Sequence, residues 1–284
     1  MKIVPSGAAL GAEGQGIDLA MPLEAATLER IKAAWDEHLV LVFRGQEMSD
    51  PDLLAFSRHF GELDPPGPNP YGITFLPAFP EINVISNLKD DQARPIGNLG
   101  AGEAVWHADM TYIETPPKGA ILHALEIPVG QGDTHFANMA RAYEDLPKDL
   151  KVAIEGRKCI HDAAHNSAGM LRKGYDEITD PRRTPGAHHP LVREDPASGR
   201  RALFLGRRPH AYVVGLEPDE SDALLDRLWE HATQAKFAWT HKWQPGDLLM
   251  WQNLWILHRR DGFDESARRI LHRTQIKGDE TILG

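Results

Sequence analysis

The chain has 284 residues, of which 42% are hydrophobic and 25% charged, and it carries a formal net charge of −10. This composition is typical of a globular protein, and the excess of acidic residues argues against a general nucleic-acid binder. The only cysteine, Cys159, excludes an internal disulfide and suits a reducing compartment. We expect it to be a small buried apolar residue.

The N-terminal stretch MKIVPSGAALGAEGQGIDLA lacks the continuous apolar segment of a signal peptide. No run of about 18 apolar residues occurs in the chain, so we expect no membrane-spanning segment. These patterns predict a cytoplasmic protein.

The N-terminal region predicts a helix, a strand and a second helix. Apolar residues recur at helical spacing near residues 23–40, and LVLVF at residues 39–43 indicates a buried strand. Ser49 or Asp50 is the expected N-cap of the second helix, with Pro51 in its first turn.

Two later segments are irregular. Residues 64–104 are dense in proline, glycine and asparagine around one short strand, EINVISN. Such a segment inside a compact domain is usually functional, so we expect a wall of a site or a lid, with a plain surface loop as the alternative. Residues 161–200 are also polar and loop-like, and we expect both segments to shape selectivity.

From Trp106 onward, short apolar runs alternate with glycine and proline turns, a pattern typical of β-sandwiches and barrels. Two helical patterns interrupt these runs, at residues 139–156 and 217–234. The sequence contains no internal repeat and no clear linker. It therefore predicts one domain over residues 1–284, mainly β with flanking helices, in a cupin-like jelly roll (a double-stranded β-helix).

Two candidate metal ligands, His107 and Asp109, lie two residues apart in WHADMTYIETPP. Such positions on a strand face the same way, so both side chains could hold one metal ion. The pair alone is a weak signal and could also be an ordinary surface pair. His258, which follows an apolar strand late in the chain, supplies a third ligand. Two histidines and a carboxylate form the facial triad of non-haem Fe(II) oxygenases.

A facial triad would explain the arginines that follow His258. A 2-oxo acid that chelates iron fills two of the open positions and leaves a distant carboxylate to be neutralised. Arginine suits this role because its planar fork holds a carboxylate bidentately and stays charged when buried. Arg269 and Arg273 have the same strand parity, so one could hold the co-substrate and the other an anionic group of the substrate.

These motifs resemble those of the TauD/TfdA family, the taurine and 2,4-dichlorophenoxyacetate dioxygenases that use Fe(II) and 2-oxoglutarate. The family pattern is H-x-D, then G-D-T, then a distal histidine followed eleven positions later by arginine. Here it is matched by the H-x-D pair, by Gly132-Asp133-Thr134, and by His258 with Arg269. The stretches ASGRRALFLG, EHATQ and DESARR resemble the phenoxyacetate dioxygenases more than the taurine dioxygenases.

The resemblance implies a dioxygenase that acts on a small organic anion and O2: a phenoxyalkanoate, another carboxylate or a sulfonate. It also implies a homo-oligomer, either a dimer or a tetramer. Fe(II) would be bound by the triad of His107, Asp109 and His258. Co-substrate 2-oxoglutarate would be bound by Thr134 and Arg269.

Three further residues are assigned to substrate binding: Arg273, Trp251 and Tyr112. For the two aromatic residues, a place in the hydrophobic core is the alternative. The remaining histidines of the later loops are expected not to be ligands: His161, His165, His188, His189 and His210. Arg207 and Arg208 follow a strand end in RALFLGRRPH and could reach the mouth of the pocket, but a solvated turn is their expected place.

Two other functional classes stay open from the residues alone. One is a metal-dependent hydrolase that uses the same triad around zinc, with water as the nucleophile. The other is a non-catalytic, cupin-type protein that binds a small acid. Neither would release succinate from 2-oxoglutarate in the presence of oxygen.

Overall fold

The computed structural model describes residues 1–279 and 281–284. Most of its regular structure is β, and the described residues form these strands: β1 (Lys2–Pro5), β2 (Ala12–Gln15), β3 (Val40–Phe43), β4 (Leu63–Asp64), β5 (Asn83–Ser86), β6 (Asn98–Leu99), β7 (Ala104–His107), β8 (Gly119–Glu126), β9 (Thr134–Asn138), β10 (Lys158–Ile160), β11 (His188–Pro190), β12 (Val192–Glu194), β13 (Arg201–Leu203), β14 (Tyr212–Val213), β15 (Ala238–His241), β16 (Leu248–Gln252), β17 (Ile256–Arg260) and β18 (Ile270–Ile276).

The helices are fewer and flank the strands. They are α1 (Ala25–His38), α2 (Asp50–Arg58), α3 (Met139–Glu144), α4 (Lys148–Ile154) and α5 (Pro218–Ala232), with short 3-10 turns at Pro181–Arg183 and Ala235–Phe237.

Two sheets form the body of the molecule. The larger has the order β1-β2-β3-β16-β8-β18-β5-β6, with β4 beside β18, and the smaller has the order β15-β9-β17-β7. Phe136 and Ile256 from the smaller sheet pack in one buried cluster with Leu122, Leu249 and Trp251 from the larger. The sheets therefore share a core between their inner faces, as in a jelly roll.

The strands of the larger sheet read as continuous apolar runs because both faces are buried. In β16, Leu249 and Trp251 point into the core between the sheets, whereas Leu248 and Met250 pack on the outer side. Helices α1 and α2 cover that outer side with a further set of buried side chains, which includes Ile31, Trp35, Leu53 and Phe56.

Most of the predicted elements match the structure. The helix expected near residues 23–40 is α1, LVLVF contains β3, and Ser49 caps α2 through a reciprocal capping box with Asp52. The pattern at residues 139–156 instead forms two helices, α3 and α4. Pro147 separates them because proline lacks the N–H that would continue the first helix.

The two irregular segments contain strands: the one expected at EINVISN, and one in the second segment that was not expected. Within residues 64–104, β5 is an inner strand of the larger sheet, paired with β18. Within residues 161–200, β11 pairs with β10, so that His189 lies opposite Cys159. The expectation that His188 and His189 lie in a loop was wrong, because backbone pairing with β10 outweighs the low strand propensity of the polar HHP stretch.

Cys159 is fully buried, as expected, and burial raises the pKa of its thiol to about 12. It therefore stays protonated and behaves as a small apolar residue. Among the described residues, no helix has the length and apolar character needed to cross a bilayer.

Candidate metal centre and its two cavities

Strands β7 and β17 lie side by side and carry the two candidate histidines. His107 ends β7, and its Cα partner on β17 is His258, so the two imidazole rings lie 4.1 Å apart between centroids. Asp109 follows β7, and its Oδ1 lies 3.6 Å from His107 Nε2. All three residues are buried, and their ligand atoms lie within 4.8 Å of one another. One ion could therefore contact all three.

The protonation states of these side chains suit a divalent cation. His107 Nδ1 lies 2.7 Å from the Val105 carbonyl and donates to it, which leaves Nε2 free as a ligand. Burial, with the neighbouring His107, lowers the pKa of His258 well below its usual value, so its imidazole is neutral. Burial alone would raise the pKa of Asp109, but Arg273 and the two histidines hold it below its usual range. Two imidazoles and one carboxylate fit Fe(II).

Asn253 fixes the backbone that carries Asp109. Its Oδ1 accepts a 2.7 Å hydrogen bond from the Asp109 N–H, and its Nδ2 donates to the Asp109 and Pro117 carbonyls, both at 2.9 Å. Asn253 is fully buried. The Asp109 carboxylate is thus positioned by a residue on the turn between β16 and β17, as well as by its own strand.

Two cavities meet at the candidate metal centre. Their shared lining residues are Leu99, His107 and Arg273. We call one the polar cavity; it has about 650 Å³ of atom-free space, and its wall includes Tyr112, Asp162, Asn166, Arg172 and Arg207. We call the other the apolar cavity; it has about 490 Å³, and its wall includes Leu122, Thr134, Phe136, Trp243, Trp251 and Arg269.

The apolar cavity contains a buried cation, Arg269. Its guanidinium lies 5.8 Å from the ring centre of Trp243 and 5.6 Å from that of Phe263, and its Nε has no hydrogen-bond partner among the described residues. Burial, with the nearby charge of Arg260, lowers the pKa of Arg269 to about 9, so the group remains charged at neutral pH. Gly132 gives it room, since a Cβ there would lie 3.2 Å from Arg269 Nε. An anionic ligand in this cavity would stabilise the charge.

Arg260 is a second buried arginine on the wall of the apolar cavity. Burial lowers its pKa to about 10, so it too stays charged. Its Nη2 donates to the Gly102 carbonyl, and its guanidinium lies over the ring of Phe263, 5.2 Å from the ring centre. The apolar cavity therefore combines an apolar lining with two positive charges, which suits an anion with a short carbon chain.

Thr134 lines the same cavity and is oriented by Trp243. The indole Nε1 donates a 2.9 Å hydrogen bond to Thr134 Oγ1. Because this bond occupies a lone pair of the hydroxyl oxygen, the threonine proton remains available to a ligand. Thr134 and Arg269 therefore both line the apolar cavity, and each can donate a hydrogen bond to a ligand there.

Arg207 is not at a solvated turn, contrary to expectation. It is buried, its Nη2 pairs with Asp162 Oδ2, and it lines the polar cavity. Sequence alone gave no sign of the partner, which lies 45 positions earlier in the chain. Arg208 pairs with Asp222 and Asp226 on α5.

The three residues assigned to substrate binding occupy different places. Arg273 lines both cavities and donates from Nη1 to the two carboxylate oxygens of Asp109, at 3.0 and 3.1 Å. Tyr112 lies on the polar cavity. Trp251 lies on the apolar cavity, with its ring 5.0 Å from that of His258.

Several residues of the site were missed from the sequence: Asn253, Trp243, Arg260, Asp162 and Arg207. Arg260 could have been found, since it is two positions after His258 on a strand and shares its face. The others offered no signal because their partners are distant in the chain.

The loop histidines form a second cluster. Ligand atoms of Asp162, His165 and His210 lie within 4.8 Å of one another. Asp162 is already paired with Arg207 and accepts from His165 Nδ1 at 3.0 Å. A guanidinium at the same carboxylate opposes a cation there.

The protein combines a jelly roll with two histidines and one carboxylate at a junction of two cavities, one of which contains a buried arginine. These features together define a mononuclear non-haem iron oxygenase. Comparison with known proteins gives the family. Residues 2–275 match the family described as "Taurine catabolism dioxygenase TauD, TfdA family".

Individual relatives agree over nearly the full length. The alpha-ketoglutarate-dependent 2,4-dichlorophenoxyacetate dioxygenase of Cupriavidus pinatubonensis (strain JMP 134) is 35% identical over 277 residues, which are 94% of each chain. A taurine dioxygenase from Burkholderia xenovorans superimposes with a TM-score of 0.78 at 32% identity, over 99% of this chain and 90% of that one. AAD-2, solved in complex with Mn(II) and N-oxalylglycine, gives a TM-score of 0.77 at 29% identity over the whole of both chains.

The chain therefore belongs to the TauD/TfdA family and is an Fe(II)- and 2-oxoglutarate-dependent dioxygenase. The expected family, jelly-roll fold, enzyme class and cofactors are confirmed. A small molecule and O2 are the substrates of this class.

Asn253→Ala removes the side chain that holds the Asp109 backbone. We expect Fe(II) affinity to fall by about tenfold or more, as for other groups that orient a metal ligand. Titration of the protein with Fe(II) under nitrogen measures the effect. The control is Gln252→Ala, which removes only a surface hydrogen bond to Asp36. Equal affinity of the Asn253 variant and the wild type would contradict this positioning role.

Trp243→Phe keeps an aromatic ring in the apolar cavity but removes the hydrogen bond to Thr134. One such bond contributes about 1 kcal/mol, so we expect the Kd of 2-oxoglutarate to rise about fivefold. The Kd is measured from the visible absorption of the anaerobic Fe(II) protein during titration with 2-oxoglutarate. Trp239→Phe, which alters a tryptophan outside this cavity, serves as control. An unchanged Kd in the Trp243 variant would show that the indole N–H does not contribute to binding of 2-oxoglutarate.

Proposed function

We propose that the chain holds Fe(II) with His107, Asp109 and His258 and hydroxylates a small organic anion with 2-oxoglutarate and O2. The observation that carries this proposal is the convergence of the three side chains at the junction of two cavities, one of which contains a buried arginine. When bound, the iron supplies oxygen activation, which couples oxidation of 2-oxoglutarate to succinate and carbon dioxide with hydroxylation of a C–H bond.

In this proposal, 2-oxoglutarate occupies the apolar cavity. Arg269 neutralises its distal carboxylate, Thr134 donates a hydrogen bond to the same group, and Arg260 adds a second positive charge. The apolar wall of Phe136 and Trp251 excludes water from the carbon chain of the co-substrate. We assign Trp251 here to packing beside His258, rather than to direct contact with the primary substrate.

The primary substrate occupies the polar cavity. Arg273 orients Asp109 and presents its remaining N–H groups toward an anionic group of the substrate, and Tyr112 lines the opposite wall. Relatives act on an aryloxyacetate and on taurine, as their names state, so carboxylates and sulfonates are both suitable classes. If the hydroxylated carbon also bears an ether oxygen, the product collapses and the C–O bond is cleaved.

We also propose one cytoplasmic domain over residues 1–284 that associates as a dimer or tetramer. The resemblance to the family supports association. Light scattering after gel filtration measures the molar mass, and a monomer at micromolar concentration would contradict this part of the proposal.

Asp109→Ala should abolish succinate formation, because it removes the only carboxylate of the triad. We expect the wild type with Fe(II) and 2-oxoglutarate under nitrogen to show a weak visible band that decays when oxygen is admitted. The variant should show neither the band nor substrate-dependent succinate. Asp149→Ala, on the exposed surface of α4, is the control.

The same experiment separates the alternatives. A zinc hydrolase would work without oxygen, and a binding protein would take up 2-oxoglutarate but release no succinate. Full turnover by the Asp109 variant in the presence of iron would overturn the ligand assignment.

A further inference from the structure

The wall of the polar cavity carries unsatisfied hydrogen-bond donors. The buried atoms Tyr112 Oη, Asn166 Nδ2 and Arg172 Nε have no hydrogen-bond partner among the described residues. All three residues line the same cavity. Buried donors normally find a partner, so three of them together indicate a ligand that brings acceptors.

The orientation of each group is fixed by its other contacts. Asn166 Oδ1 accepts from the backbone N–H groups of Ala168 and Met170, both at 3.0 Å, which leaves the amide nitrogen as the free end. Arg172 Nη1 donates to the Ala163 carbonyl at 2.7 Å, and the guanidinium lies 4.0 Å from the centre of the Tyr112 ring. These contacts hold the donors in place before any ligand arrives.

Gly67 leaves space for the Tyr112 hydroxyl. A Cβ on Gly67 would lie 2.4 Å from Tyr112 Oη, so only glycine leaves room for this hydroxyl. Burial, opposed by the charge of Arg172, raises the pKa of Tyr112, so the hydroxyl remains a donor at neutral pH.

The charges of the cavity wall leave one cation unpaired. Asp109 pairs with Arg273, and Asp162 pairs with Arg207. Arg172 forms no ion pair with any residue that the structure describes. A partly buried guanidinium without an acidic partner among the described residues, beside two neutral donors, is complementary to a carboxylate or sulfonate, which accepts several hydrogen bonds at once.

We propose that Arg172, Tyr112 and Asn166 form a second anion subsite, so that the preferred substrate is a small organic dianion. One anionic group lies at Arg273 beside the metal centre, and the other lies at Arg172. This inference rests on the proposed function and refines its substrate class. A purely hydrophobic aryl tail would leave the donors of this subsite buried and unpaired, which is unfavourable.

Matched pairs of probes that differ by one carboxylate test the subsite. The pairs are methoxyacetate with 2,2′-oxydiacetate, and phenoxyacetate with 4-carboxyphenoxyacetate. Their affinities are measured by calorimetry under nitrogen on the wild-type protein loaded with Fe(II) and saturating 2-oxoglutarate. We expect at least one dianion to bind about tenfold or more tightly than its matched monoanion, because the added bonds are charge-assisted.

Variants of the subsite should remove this preference. Arg172→Met keeps the length of the side chain without its charge, and Tyr112→Phe removes only the hydroxyl while the stacked ring remains. Both should lower dianion affinity severalfold or more, and Arg172→Met should leave monoanion affinity within about twofold. Lys173→Met, an exposed neighbour, is the control and should behave like the wild type.

Two outcomes would overturn the subsite: no dianion binds more tightly than its monoanion, or the preference persists in Arg172→Met. Failure of the proposed function has a different signature, namely no visible band with Fe(II) and 2-oxoglutarate and no succinate after oxygen is admitted. Retention of the band in Arg172→Met shows that the metal centre is intact in that variant.

Discussion

The pairing of β7 with β17 is the constraint on which the site depends. It places His258 directly opposite His107, although the two residues are 151 positions apart in the sequence. A shift of one residue in this register would turn either imidazole to the other face of the sheet. The ligands are therefore oriented by backbone hydrogen bonds of the smaller sheet, and Asn253 extends this control to Asp109 beyond the strand end.

Burial determines the charge states and the ligand preference of the polar groups at the site. The same removal from water keeps His258 neutral, and Arg269 is a charge without an acidic partner among the residues that the structure describes. In an apolar surrounding, an uncompensated guanidinium favours an anion far more than it would at the surface. The apolar wall of Phe136, Trp243 and Trp251 thus contributes to anion selectivity, even though most of its atoms form no hydrogen bonds.

Much of the fold and the centre of the site could be predicted from the sequence, because both depend on local patterns. Strand periodicity, the capping box of Ser49 and the spacing of His258 to Arg269 are all readable within a short window. Pairings between distant segments were not readable. Arg207 was misjudged because its counter-ion Asp162 is on another loop, and the strand at His188 was missed because its stability comes from β10.

The two cavities share only Leu99, His107 and Arg273 among the residues that the structure describes. Substitutions on the wall that carries Arg172 can therefore alter which compound is oxidised without touching the wall that holds Arg269. This separation makes the scaffold evolvable. Substitutions in the polar cavity can produce new substrate ranges while the apolar cavity, and with it the reaction with oxygen, stays unchanged.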